Sequence, residues 1–373
     1  MIVLRIAVFA AGSLLAAWTL LSAVQTVILP RASQNLLARI VFRGLRRAFA
    51  LITGPRRSFD WRDRVMAYFA PVGLLVLVAV WLTLITVGFM AMEWAIEQEG
   101  WARAFHVSGS SLLTLGFASV DGTGLRILAF VEAGLGLALV AMLITYLPAI
   151  YAAFSRRETH VALLEVRAGT PPSAVTMLRR FHGIGQLDRL ADLWRDWETW
   201  FADVEESHTT FPALTFFRSP QPDRHWVTAA GTVLDGASLM ESSIDLPRVP
   251  EAALAIRAGF ISLRRIADFF GIEYDPDPSQ GDPISITRPE FDEALDTLAE
   301  AGLPIVADRD QAWLDFAGWR VNYDTVLLSL AEITMAPYAP WVADRSTPGM
   351  RPPRVRRWGR RTRASDVPEE TPT

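Results

Sequence analysis

Between two long apolar runs the chain reads WARAFHVSGSSLLTLGFASVDG over residues 101–122. This connection is too apolar for a simple water-exposed loop. Its first half, residues 101–113, is expected to form a short helix with Phe105, Leu112 and Leu113 turned inward. Its second half, Thr114-Leu115-Gly116-Phe117-Ala118, does not continue that helix comfortably. Non-helical backbone at membrane depth is tolerated only where it is buried in protein or lines a water-filled path. A short helix that dips in and returns as extended chain meets that condition as a re-entrant loop.

Three apolar spans surround this segment. The first covers residues 6–29, which hold 24 residues without a charge. About 20 such residues cross a bilayer. A cleaved signal peptide would carry a shorter apolar region, roughly 7–15 residues, and a small-residue cleavage site. Here Pro30 and an Arg-rich stretch follow instead. The second span covers residues 65–96, uncharged from Val65 to Met92. The third covers residues 128–154 and is interrupted only by Glu132.

Arginine bias orients the spans. Residues 31–64 carry Arg31, Arg39, Arg43, Arg46, Arg47, Arg56, Arg57, Arg62 and Arg64 against Asp60 and Asp63. The third span exits into Arg156 and Arg157. Between the second and third spans stand Glu93, Glu97, Glu99 and Asp121 against Arg103 and Arg126. The Arg-rich sides are expected to be cytoplasmic, which places the N-terminus and residues 97–124 outside. Within the connector, Leu36, Leu37, Ile40, Val41, Leu45, Phe49 and Ile52 recur at helical spacing among arginines. Two readings stay open: an amphipathic helix on anionic lipid, and a helix packed on the soluble part.

Residues 65–157 resemble the pore domain of potassium channels: outer helix, short pore helix, a Thr-Val-Gly-Tyr-Gly-Asp filter, inner helix. Thr114, Leu115, Gly116 and Phe117 match the first four filter positions, with changes at Leu115 and Phe117. Ala118 stands where the family has its second glycine, and Ser119 where it has aspartate. Residues 124–136 resemble the inner-helix entry of bacterial members. The resemblance implies a homotetramer, because one such loop per chain cannot surround an ion. It also implies a permeant monovalent cation, potassium in the first instance, coordinated by backbone carbonyls. If Ala118 took the left-handed backbone of the family's glycine, it would cost about 1–2 kcal/mol per chain.

Glu132 is expected to face protein and hold the back of the short helix through Ser110, Ser111 or Thr114, or to draw cations into the vestibule together with Asp121. Gly134, Gly136 and Pro148 are gating-hinge candidates; close helix packing and a static kink are the alternatives.

From Ser155 to Met350 the chain holds 17 Arg against 30 Asp and Glu. Apolar residues recur there at helical spacing and strand patterns are scarce. Helices are expected over residues 160–168, 172–182, 184–206, 224–243, 250–270, 289–301 and 311–334. The stripe Leu190, Leu193, Trp194, Trp197, Trp200 and Phe201 reads as core, and residues 206–220 as a connector that packs aromatics.

With no Cys and no Lys among the 373 residues, disulfides, thiolate metal sites, a Cys nucleophile and lysine chemistry are excluded. No Walker or Gly-x-Ser-x-Gly motif occurs, and Gly183-Ile-Gly185 is no dinucleotide fingerprint. The acidic loop at residues 273–282 lacks the glycine and glutamate of a calcium loop.

The whole reads as an all-α membrane protein: a first transmembrane helix (1–30), a basic connector (31–64), a pore domain (65–157), a helical cytoplasmic domain (158–350) and a disordered tail (351–373). It is expected to be a channel of the bacterial inner membrane, without enzymatic activity, cofactor, resident metal or nucleic-acid partner. Its partners are then the lipid bilayer, anionic lipid at residues 31–64, and further copies of itself. The competing reading is a non-conducting, membrane-anchored scaffold or sensor with a vestigial loop.

Overall fold

The computed structural model describes residues 1–27, 35–54, 57–97 and 100–344. The tail at 351–373, the end of the first span at 28–30, and Arg31, Arg56 and Glu99 lie outside the described residues. Among the described residues the chain is helical, and its one β pairing is an isolated antiparallel bridge between Ile244 and Ile305. Three helices are long and apolar enough to cross a bilayer, which makes this a multi-pass membrane protein by length and composition.

Helix α1 (Ile2–Val27) runs antiparallel to α4 (Phe69–Glu97). At one end, Arg5 donates from Nε to the Ala95 carbonyl at 2.6 Å and from Nη2 to the Ile96 carbonyl at 2.5 Å. Midway, Gly12 and Gly88 meet backbone to backbone: a Cβ on Gly88 would lie 2.8 Å from the Gly12 carbonyl. Small residues permit this approach, and dispersion then replaces the hydrophobic drive that lipid does not supply. Lower down, Trp81 Nε1 donates to Ser22 Oγ at 3.2 Å.

Helix α2 (Leu36–Ile52) starts at that level. Asn35 caps it by accepting from the Leu37 N–H and ties it to α1 by donating to the Ser22 carbonyl at 2.6 Å. Farther along α2, Phe42 sits over Gly73, and the Phe49 ring meets Phe69 at 5.5 Å between centroids. Part of the apolar face of α2 therefore packs on α4 through Phe42 and Phe49, while Leu36, Ile40 and Ile52 of that face, and Arg43, Arg46 and Arg47, stay exposed. Helix α3 (Phe59–Met66) follows, and its Asp63 pairs with Arg218 of the helical region at 2.8 Å.

Helix α5 (Trp101–Leu112) is the short helix of the α4–α6 connection, and α6 (Thr123–Ala168) leaves it as one unbroken helix of 46 residues. The boundary expected at 157 falls inside that helix. Its last turns enter the core of the helical region through Val161, Leu164 and Ala168.

That region holds α7 (Ala174–Gly183), α8 (Leu190–Thr210), α9 (Trp226–Ser243), α10 (Pro250–Phe270), α11 (Arg288–Glu300), α12 (Arg309–Arg320) and α13 (Asp324–Thr334). Helix α9 is buried on nearly every side and is the axle around which the others pack. The expected core stripe on α8 is buried in full. Two boundaries differ from expectation. A 3-10 turn at Leu187–Arg189 delays α8, which then runs on to Thr210. The single helix expected over 311–334 is two, broken at residues 321–323, with Arg320 and Asp324 on either side of the break both buried. Arg320 bonds Asp324 at 2.7 Å and pairs with Asp235 of α9, whose carboxyl also accepts from Tyr323 at 2.9 Å.

The aromatics of residues 211–217 fasten the two halves together. Phe216 packs on Phe69 at 5.4 Å, and Ala213, Leu214 and Phe217 share a core with Ala70, Tyr146 and Ile150. Arg157 of α6 is wholly buried against this segment and donates to the Leu214 carbonyl at 2.9 Å and the Phe217 carbonyl at 2.8 Å. Arg218 reaches the other way, to Asp63 and to the carbonyls of Met335 at 2.9 Å and Thr334 at 2.7 Å.

Candidate functional site

Helix α5 is seated between α4 and α6 on a face of small residues. Ala104, Val107, Ser108, Ser110 and Leu112 are buried. Phe105 and Leu113, expected inward, are exposed on a single chain. Gly136 of α6 lies against the Leu112 carbonyl so closely that a Cβ there would collide with it, and no large side chain fits in that contact. Gly136 is thus a close-packing glycine inside a continuous helix. Gly134, two residues earlier, faces open space, and Pro148 lies exposed within the same helix.

The chain reverses at Leu113 and Thr114. The Thr114 N–H donates to the Ser111 carbonyl at 3.0 Å, and the Leu115 N–H to the Ser110 carbonyl at 2.8 Å. Thr114 has φ +53° and Gly116 has φ +72°. A β-branched residue in the left-handed region is an outlier, at about 1–3 kcal/mol. Positive φ among the described non-glycine residues occurs at Thr114, Met335 and Trp341, so Ala118 carries no left-handed cost. The condition for strain at Ala118, a left-handed backbone there, is not met; the left-handed non-glycine residue of this segment is Thr114.

The returning segment is tied to the short helix throughout. The N–H groups of Phe117 and Ala118 both donate to Ser110 Oγ at 3.1 Å. The Phe117 ring meets His106 edge-on at 4.6 Å. Arg103 donates to the Ser119 carbonyl at 2.7 Å, and Arg126 to the Val120 carbonyl at 3.3 Å. Asp121 is exposed at the start of α6. Residues 113–117 are held in shape from behind and bare in front.

Glu132 is fully buried behind α5, and its partner is Ser108 Oγ, in place of Ser110, Ser111 or Thr114. A carboxyl about two turns and a half into α6 reaches the middle of α5 and not its end. Ser108 also donates to the Thr86 carbonyl of α4 at 3.2 Å, so one hydroxyl bridges all three helices. Glu93, expected among the outer acids, is buried on α4 beside the same serine. Its position at the end of an uncharged run was the available signal. Ser108 had none, since a serine among Ser108, Ser110 and Ser111 is not distinguished by spacing.

No family model matches this chain, and it has no counterpart among curated proteins or solved structures.

Proposed function

We propose that four copies of this chain form a potassium-channel-like cation channel in a bacterial inner membrane, with the helical region in the cytoplasm. The observation that carries the reading is the α4–α6 connection: a short helix, a reversal, and a returning backbone pinned by Ser110. Thr114 and Gly116 both take left-handed angles in this reversal. Residues 113–117 are exposed in one chain and would be covered by three others around an axis. Arginine bias favours a cytoplasmic helical region; Arg5 at Ala95 puts the N-terminus at the same end as residues 95–96, and Asp63 at Arg218 puts residue 63 beside the helical region.

Thr114, Leu115, Gly116, Phe117 and Ala118 would line the ion path. Ser110 would set its backbone, and Glu132 would position α5 through Ser108. Asp121 and Ser119 would sit at the outer mouth. No residue is assigned a catalytic role. The second reading, a non-conducting anchored scaffold, draws on Ala118 and Ser119 in place of glycine and aspartate. Purified protein in potassium-loaded liposomes separates the two. The proposal expects cation efflux from a species that cross-links as a tetramer; a stable monomer without efflux supports the scaffold.

A further inference from the structure

One face of α6 is bare from the membrane into the helical region. Leu137, Ile144, Ser155, Thr159, Leu163 and Val166 recur along it at helical spacing, and all are exposed. In the membrane half, lipid or a neighbouring subunit can cover such a face. The lower half has no lipid. Val166 lies 12 residues past Phe154, about 18 Å farther along the helix. Leu163 is nevertheless 47% exposed and Val166 77% exposed.

The charged side chains of α6 itself lie off that face, and at its lower end Arg180 of α7 donates to the Val166 carbonyl at 2.7 Å. Arg156 pairs with Asp203 at 3.0 Å, Arg157 is buried beside Glu158, and Glu165 pairs with Arg224. A helix side facing water collects charged residues; this one carries Ser155, Thr159, Leu163 and Val166. Single exposed apolar residues need no explanation, but a charge-free face continuous with the membrane surface does.

We infer that the bare face of α6 packs against α6 of further copies along its whole length, so that the bundle continues into the cytoplasm through Ser155, Thr159, Leu163 and Val166. The occupant must match an apolar surface that begins in lipid and ends in water. A second α6 has that surface at the same height by construction. The inference rests on the proposed self-assembly and adds that the inner helices stay together below the membrane.

The absence of cysteine makes the test clean, since wild type gives no thiol background. Full-length Val166→Cys, Leu163→Cys, Leu137→Cys and Ile184→Cys are each treated in membranes with a short bismaleimide. Ile184 is 65% exposed in the same region but off α6, and serves as the collision control. The expected result is several-fold more cross-linked dimer for Val166→Cys and Leu163→Cys than for Ile184→Cys. Cross-linking at Leu137→Cys with both lower positions at the control level overturns the inference and leaves assembly standing. Control-level cross-linking at all three α6 positions overturns both.

Discussion

The α1–α4 contact and the α8–α10 contact are both long helix pairs built from opposite materials. In the first, Gly12, Ala16 and Ala23 of α1 meet Gly88 and Ile85 of α4, and the backbones nearly touch. In the second, the Phe201 ring of α8 lies on Gly259 of α10, beside the buried Trp197 and Trp200, which reach His160 and the Arg157 carbonyl of α6. In water, burying a large ring is itself the driving force. In lipid it is not, and close approach of small residues takes its place. The same chain thus folds by area in one half and by fit in the other.

The largest effect that tests this contrast is Trp200→Ala. Trp200 is fully buried, so the loss is expected at about 3–5 kcal/mol and is read as a lowered midpoint for unfolding of the helical region. Phe130→Ala, at a comparably large ring 75% exposed on α6, is expected to leave the fold of the single chain within about 0.5 kcal/mol. A large loss there would mean that the bare face packs within the monomer. Gly88→Ala comes next. Its Cβ would meet the Gly12 carbonyl and Ala16, and overpacking of about 1–3 kcal/mol is expected in a detergent-denaturation series. The same change at Gly134, which faces open space, is expected to be neutral.

The smallest effect is in pH. Burial, and then the Arg157 guanidinium, hold His208 well below its ordinary value of 6.5. His225 is lowered by burial, with Arg218 and Arg157 adding to it. Both rings are neutral when folded and take up a proton when unfolded. The unfolded state therefore binds more protons below about pH 6.5, and stability falls as pH falls through that range. Melting of the helical region is expected at lower temperature at about pH 5 than at about pH 7. His208→Gln is expected to flatten that dependence.

The two halves also differ in how much the sequence discloses. The spans were legible because hydropathy is a sum over about 20 residues and tolerates single exceptions. Helix α10 was legible to the residue because Pro250 and Gly271 bracket it, with Gly271 in the left-handed region. The break between α12 and α13 was not, because Val321, Asn322 and Tyr323 include neither proline nor glycine. Arg156 and Arg157 looked alike as markers of the cytoplasmic side. One is an exposed partner of Asp203, and the other is a buried clamp on residues 214–217. In the α4–α6 connection, the helix and its reversal were legible. The inward face was not, because the surfaces that receive it are backbone at Gly136 and a hydroxyl at Ser108, which no hydrophobic pattern records.

The central claim is that residues 114–118 form an ion path. Gly116 has φ +72°, an angle that a side chain resists, and its backbone lies in the exposed part of the reversal. Ala118 does not occupy the left-handed region. The most direct measurement is potassium efflux from liposomes for wild type, Gly116→Ala and Ala118→Gly, with tetramer content verified in each. The account predicts efflux in wild type, its loss in Gly116→Ala with the tetramer intact, and its retention in Ala118→Gly. Equal efflux in wild type and Gly116→Ala, or no efflux from intact wild-type tetramers, would contradict it.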